Sequence, residues 1–164
     1  MGYEYVIGKR GRIIIAKMGQ GEELVQSLLD LCEELDISVA IINSFIGTVK
    51  EVYLRNPRDT TILPVTDESK FSLQGDTTVL MRKMEIVSIQ GNIVRIGKKL
   101  FSNLHGVFSE SGGNVRGGHI FDATIWSQAE VVLQEIEEEL VIREMEKTTG
   151  LMQWRLKNPS KSQK

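Results

Sequence analysis

The chain has 164 residues, of which 26% are charged, and a formal net charge of −2 at pH 7, values that are ordinary for one globular domain. No apolar run approaches the roughly 20 residues that a bilayer-spanning helix needs, so the sequence predicts no membrane segment. Proteins that bind nucleic acid through its phosphates usually carry a basic face. The slightly negative net charge of this chain counts against a dedicated nucleic-acid-binding protein.

The cysteine content and the first residues bear on the cellular compartment. The single cysteine, Cys32, excludes an internal disulfide, and we expect it to pack on the apolar side of a helix. The first residues lack the basic and then apolar layout of a signal peptide. Together these features predict a cytoplasmic protein.

The first third of the chain predicts short strands around one helix. Leu24, Leu28, Leu31 and Leu35 recur at helical spacing, while Gly47 indicates a bulge or bend between two apolar segments. We interpret the basic segment 9–12 as a turn rather than a minor-groove hook, because the isoleucines that follow it favour burial. The predicted elements are strands at 3–7 and 12–17, one main helix at about residues 21–35, and strands at 37–42 and 48–54.

The remainder predicts a long loop at 56–76, more strands, and a tail. Gly91 reads as a turn between two strands, and 100–108 with 115–126 reads as a hairpin. Residues 128–145 fit either a helix or a strand by periodicity alone. The further predicted strands are 77–80, 84–90, 92–96 and 151–156. The whole predicts a single α+β domain at 1–156 with a largely antiparallel sheet, followed by a basic, disordered tail at 157–164.

The only two histidines of the chain, His105 and His119, lie on the two arms of the predicted hairpin. Asn103 shares a strand face with His105, because strand side chains repeat every two residues. Gly112 and Gly113 suit a turn that requires positive φ, and Gly117 and Gly118 allow another backbone to come close. The hairpin therefore predicts a polar pocket around both imidazoles.

Neutral imidazole is a common metal ligand, so His105 and His119 are candidate ligands for a divalent metal such as zinc. A carboxylate from Glu130 or Asp122 could complete such a site, and the alternative is that each histidine only makes local hydrogen bonds. The sequence shows no nucleophile elbow, phosphate-binding glycine loop or dinucleotide fingerprint, so no catalytic residue is assigned.

Several short segments, in their order and spacing, resemble the PPC (plants and prokaryotes conserved) domain over roughly residues 5 to 156. The segments that carry the resemblance are Gly21–Leu24, Ile37–Ile42 with Gly47, Met84–Ile93, Leu104-His105, Gly117-Gly118-His119 and Ala129–Val132. The resemblance implies an α+β homotrimer and favours a strand at 130–136. It also implies association with DNA and, through a motif that matches here at Glu85 and Ile86, contact with partner proteins.

The chain departs from the family pattern at one histidine position and in the partner-contact motif. The family usually has a histidine where this chain has Asn103, and the full histidine trio is similar to the metal ligands of acetolactate decarboxylase. The stretch 82–87 matches the family's partner-contact motif only at Glu85 and Ile86. The candidate ligand-pocket residues are Asn103, His105, Gly117, Gly118, His119 and Glu130.

Three hypotheses follow from these features. The leading one is a homotrimeric binding or regulatory module associated with DNA, without enzymatic activity. The alternative is a small-molecule or metal-dependent enzyme, or a ligand-binding protein, with its pocket at His105 and His119. The third is a structural scaffold in which the histidines line a contact between subunits.

Overall fold

A computed structural model describes residues 3–57, 76–138, 140–158 and 160–161. Within those residues the chain forms one helix and ten strands. They are β1 (Glu4–Tyr5), β2 (Lys9–Met18), α1 (Leu24–Glu34), β3 (Val39–Asn56), β4 (Asp76–Leu80), β5 (Met84–Ile96), β6 (Lys99–Ser109), β7 (Val115–Glu137), β8 (Val141–Met145), β9 (Met152–Leu156) and β10 (Ser160–Lys161).

The main sheet is antiparallel and closes on itself. Strand β3 pairs with β5, β5 with β6, β6 with β7, and β7 returns to pair with β3. Strands β2 and β4 extend this ring, along β7 and β3 respectively. Closure is possible because β3 and β7 have 18 and 23 residues and shift register at several points, so each can bend and serve more than one neighbour.

Helix α1 packs against β6 and β7 and buries Leu24, Leu28 and Cys32 completely. The helix begins at Leu24, later than predicted, because Glu23 is extended and its backbone forms a bridge with Thr124. Burial of Cys32 confirms its predicted packing role and raises the pKa of its thiol to about 11. This thiol is therefore protonated and inaccessible at neutral pH.

A second, smaller core lies outside the ring, where the hairpin of β8 and β9 covers the sheet. Val141 packs on Val39 and Val94, and the half-buried Ile136 and Leu156 complete the cluster. The hairpin thereby covers one end of the outward face formed by β3 and β5. No helix of the described residues could cross a bilayer.

Several predicted elements are confirmed, with longer bounds. The predicted strands 37–42 and 48–54 are one strand, β3, and Gly47 marks a register shift within it. The stretch 130–136 is a strand, as the resemblance favoured, within β7. The fold is mostly antiparallel β with a single helix, so the label α+β describes it only loosely.

Two predicted turns are wrong. Segment 9–12 lies in β2, with a bulge between Arg10 and Ile13, and Arg12 pairs with Glu135 across the strands. Gly91 lies inside β5 opposite Leu104, and the turn that follows β5 lies at 97–98. The φ of Gly91, +145°, allows a close approach between strands, since a Cβ on Gly91 would lie 2.1 Å from the Asn103 carbonyl oxygen.

Two other predictions lie wholly or partly outside the described residues. Most of the predicted loop 56–76 lies outside them, because residues 58–75 are not described. Of the predicted tail at 157–164, Ser160 and Lys161 pair with Tyr5 and Glu4 as β10. The domain boundary at 156 stays a prediction.

Replacing Gly91 with alanine is expected to lower the free energy of unfolding by about 3 kcal/mol, since the backbone conformation is strained for any L side chain and the methyl group overlaps the Asn103 carbonyl. Urea unfolding followed by circular dichroism measures the change. The matched control is Gly97→Ala, where φ is also positive but nothing lies within 4 Å, so only about 1 kcal/mol is lost. Equal losses at both positions would contradict the close approach at Gly91.

Candidate functional site

The two histidines lie side by side on neighbouring strands. His105 on β6 pairs directly with His119 on β7, and the ring centroids are 5.2 Å apart in an edge-to-face arrangement. The cross-strand pairing continues on both sides, to Gln90 on β5 and to Arg55 on β3. Directly opposite residues of an antiparallel pair project from the same face. We call these four residues, Gln90, His105, His119 and Arg55, the imidazole row.

An aromatic ring joins Arg55 to the histidines. Phe121 lies two residues beyond His119, and the centroids of the two rings are 5.3 Å apart, edge to face. The guanidinium carbon of Arg55 lies 4.1 Å from the centroid of Phe121, a cation–π contact. The ring thus holds the guanidinium at the β7 side of the row.

Glycines set the spacing of the strands at this point. A Cβ on Gly117 would lie 2.7 Å from the carbonyl oxygen of Gly106, and one on Gly118 would lie 2.6 Å from the side chain of Asn56. Asn56 donates a hydrogen bond of 3.0 Å from Nδ2 to the carbonyl of Gly117. The predicted close approach is therefore present, and within the described chain it is made to β6 and β3. Gly112 and Gly113 have the positive φ expected of the hairpin turn.

Asn103 lies in a second polar row, two residues from His105 along β6. It pairs with Asn92 on β5, whose side-chain oxygen accepts a 2.8 Å hydrogen bond from Arg143. Arg143 belongs to β8 and is only 7% exposed, and its other terminal nitrogen donates to the carbonyl of Met152. The outer hairpin therefore places a buried guanidinium beside the asparagine pair.

Burial lowers the pKa of His119 below its ordinary value, and the positive charges of His105, Arg55 and Arg143 lower it further. His119 is therefore mainly neutral at pH 7. The guanidinium groups of Arg55 and Arg143 make the surroundings of His119 electropositive.

The structure does not bring the predicted carboxylates to the imidazoles. Asp122 accepts hydrogen bonds from the backbone amides of Val25 and Ala123, so it caps the start of α1. Glu130 lies farther along β7, opposite Lys17 and Ile46.

Glu130 lines a separate cavity of about 440 Å³, together with Glu85 and Ile86, the two predicted partner-contact residues. Glu85 is exposed there, whereas Ile86 is buried in the core. Their partner role and the pocket role of Glu130 stay predictions.

The donor set fits a catalytic zinc site poorly. Such sites usually use three protein ligands, and the described residues contain no group of three histidine, cysteine, aspartate or glutamate side chains that could hold a metal. The third family position is Asn103, whose amide is a weak zinc ligand. The two guanidinium groups near the imidazoles also disfavour a divalent cation.

Sequence reasoning missed Arg55, Asn92, Phe121 and Arg143. Phe121 follows His119 at strand spacing and could have been placed on the same face. Arg55 and Arg143 could not have been placed there from the sequence. The position of Arg55 depends on the long-range pairing of β3 with β7, and that of Arg143 on the docking of the outer hairpin, formed by β8 and β9.

Comparison with known families and structures agrees with this fold. The model of the Plants and Prokaryotes Conserved (PCC) domain, also abbreviated PPC, matches residues 5–137. The chain belongs to this family. A comparison with curated proteins finds no match to this PPC protein.

Solved structures of similar fold come from several prokaryotes. A PPC protein of Pyrococcus horikoshii is 26% identical, with a TM-score of 0.77 over 91% of this chain and 94% of the other. A metal-containing protein of Archaeoglobus fulgidus is 25% identical, with a TM-score of 0.79 over 93% and 99%. A candidate DNA-binding protein of Bacteroides thetaiotaomicron is 24% identical, with a TM-score of 0.75 over 95% and 98%, which shows a shared fold.

The lowered pKa of His119 predicts a pH-dependent stability. The unfolded chain binds a proton at His119 near the ordinary pKa of 6.5, whereas the folded chain binds it only at lower pH. The stabilisation is thus complete above pH 6.5 and is lost as the pH falls through the folded pKa. We expect His119→Gln to remove part of the decrease in unfolding free energy between about pH 7 and pH 5, as measured by urea titration.

Nuclear magnetic resonance provides the direct control. The His119 imidazole signal, assigned with the aid of His105→Gln, is expected to titrate below pH 6.5. A midpoint at or above that value contradicts the electropositive, buried environment.

Proposed function

We propose that this PPC protein is a homotrimeric binding or regulatory module. Membership of the family supports a binding role. The observation that carries the proposal is an apolar patch on the outward face of the sheet, which one chain leaves open to solvent. Large contiguous apolar surfaces of this kind usually mark contacts with other chains.

The apolar patch spans three adjacent strands. Ile13 and Ile15 on β2 are 52% and 81% exposed, and Ile46 on β3 is 52% exposed. Val132 of β7 lies between these strands, because it pairs with both Ile15 and Ser44. These pairings place the aliphatic side chains on one face, and we name Ile13, Ile15, Ile46 and Val132 the isoleucine patch.

Opposite charges border the isoleucine patch. Lys17 and Glu130 face each other across β2 and β7, next to Ile46 on β3. An apolar centre with a charged rim is the usual layout of a protein interface. We assign the contact between subunits to this face.

The protein is expected to scatter light as a particle of about three times the 18.5 kDa mass of one chain at micromolar concentration. Ile15→Lys places a charge in the centre of the isoleucine patch and is expected to yield a folded monomer. The matched control is Val115→Lys, because Val115 is also exposed but lies at the opposite end of β7.

Two results of this experiment contradict the proposal. A wild-type monomer excludes the trimer. A trimer that survives Ile15→Lys excludes the isoleucine patch as its interface.

The proposal includes association with DNA, which the name of one structural relative supports. The basic segment of β2 is not a free hook: Arg12 pairs with Glu135, Arg10 donates to Gln134, and Lys9 lies 3.9 Å from Glu138. DNA contacts would therefore come from other surfaces of the assembled protein. The cytoplasmic location stays a prediction from the sequence.

Binding to an A·T-rich duplex is expected at low salt and should weaken at least tenfold between about 50 mM and about 200 mM salt, since phosphate contacts release counterions. Fluorescence anisotropy of a labelled duplex measures the affinity, and a G·C-rich duplex of equal length tests sequence preference. Absence of binding at the lower salt concentration removes DNA from the proposed function.

A second candidate function, a small-molecule pocket at His105 and His119, is supported by the edge-to-face contact of the two rings and by the asparagine pair beside them. Two imidazoles, three amides and two guanidiniums lie along neighbouring strands here on the outward face. Such a group of polar side chains is typical of a ligand site.

A further inference from the structure

Within the described residues, the two arginines near the imidazole row lack the carboxylate partner that most other arginines have; Arg10 lacks one too, but it is exposed and donates to Gln134. Arg12, Arg82, Arg95, Arg116 and Arg155 each lie within 4 Å of a carboxylate. Neither Arg55 nor Arg143 has such a partner among residues 3–57, 76–138, 140–158 and 160–161, and the Nε atom of each is buried without a hydrogen-bond acceptor. Within the part of the chain that the structure describes, neither guanidinium therefore has a carboxylate beside it.

Such a charge is costly unless something neutralises it. Arg143 is more than nine-tenths buried, and among the described residues it donates to a backbone carbonyl and to Asn92. A buried guanidinium without a counter-charge loses hydration that neutral oxygens only partly replace. An anion bound on the row would supply the missing charge to both arginines.

The imidazole row offers the donors that an oxyanion requires. No described side chain or backbone group accepts a hydrogen bond from Arg55, and its guanidinium is held against Phe121. A guanidinium presents a planar fork of N–H donors that fits carboxylate or phosphate oxygens. His119 and His105 stand next along the row and can each donate an N–H.

The ligand is better described as a small molecule than as a DNA backbone. Phe101 and Phe121 are exposed and provide apolar surface on β6 and β7. The chain as a whole has a net charge of −2, which opposes a long polyanion far more than it opposes a small one.

We infer that the imidazole row binds a small oxyanion, a molecule bearing a carboxylate or phosphate group, with Arg55, His119 and His105 as its direct partners. This inference rests on the second candidate function, the pocket. It departs from a metal-binding role, because Asn103 stands where the family usually has a third histidine and because two guanidinium groups, Arg55 and Arg143, act on His119.

The two histidines make the test direct, because the imidazole carbon–proton spectrum contains signals from only two side chains. Malonate and inorganic phosphate are titrated separately into the full chain, with the uncharged malonamide as the matched neutral probe. Both anions are expected to shift the His105 and His119 signals saturably, and malonamide is expected to leave them in place.

Variants identify the arginine. Arg55→Gln is expected to weaken anion binding tenfold or more, consistent with loss of charged hydrogen bonds, and Arg55→Lys to restore part of the affinity. Arg82→Gln, which removes an exposed arginine that pairs with Glu110, is expected to bind as the wild type does. Equal affinity in the Arg55→Gln and Arg82→Gln variants overturns the inference.

The remaining probes separate failure of the anion from failure of the pocket. Zinc chloride and a short DNA duplex are tested in the same way. If either one shifts both imidazole signals while malonate and phosphate do not, the oxyanion inference is overturned. The site is then a metal site or a contact for DNA phosphates. A response to malonamide as strong as that to malonate keeps the pocket but excludes the anionic class. If no probe moves either signal, the pocket itself fails, while the trimer is still judged by light scattering.

Discussion

The pairing of β7 with three neighbours is the constraint on which the rest of this structure depends. Its first part pairs with β6, its last part with β2, and most of its length with β3. These ladders close the sheet into a ring, and they fix which residues stand opposite one another. A one-residue slip would turn each side chain of β7 to the opposite face. The core residues of the strand therefore hold His119 against both His105 and Arg55.

The register also explains how a core-forming strand can carry a site. Ile120 and Ile125 of β7 are buried inside the ring, whereas His119 and Phe121 lie on the outward face. The outer hairpin covers only part of that face, and it brings Arg143 with it. Hydrophobic packing on both sides of the sheet thus places charged groups at positions that their own hydration would oppose. That cost is the physical reason to look for a bound anion at the row rather than a metal.

Local features of the sequence were predictable and long-range ones were not. The hairpin of β6 and β7 and the positive φ of Gly112 and Gly113 follow from short-range turn chemistry. Gly91 was misread as a turn because a glycine that permits close approach between strands looks the same in sequence as one that reverses the chain. The sequence offers Glu130 as a carboxylate that could complete a histidine site, yet strand β7 carries it to a separate cavity. Arg143 depends on how a separate hairpin docks, which no local pattern encodes.

The direct test of the register is a nuclear Overhauser measurement between the imidazole rings of His105 and His119. With only two histidines in the chain and ring centroids 5.2 Å apart, a cross-peak between their carbon-bound protons is expected in the folded protein. Its loss in His105→Gln would confirm the assignment. A folded protein whose imidazole protons show no such cross-peak would contradict the register, and with it the row of Gln90, His105, His119 and Arg55.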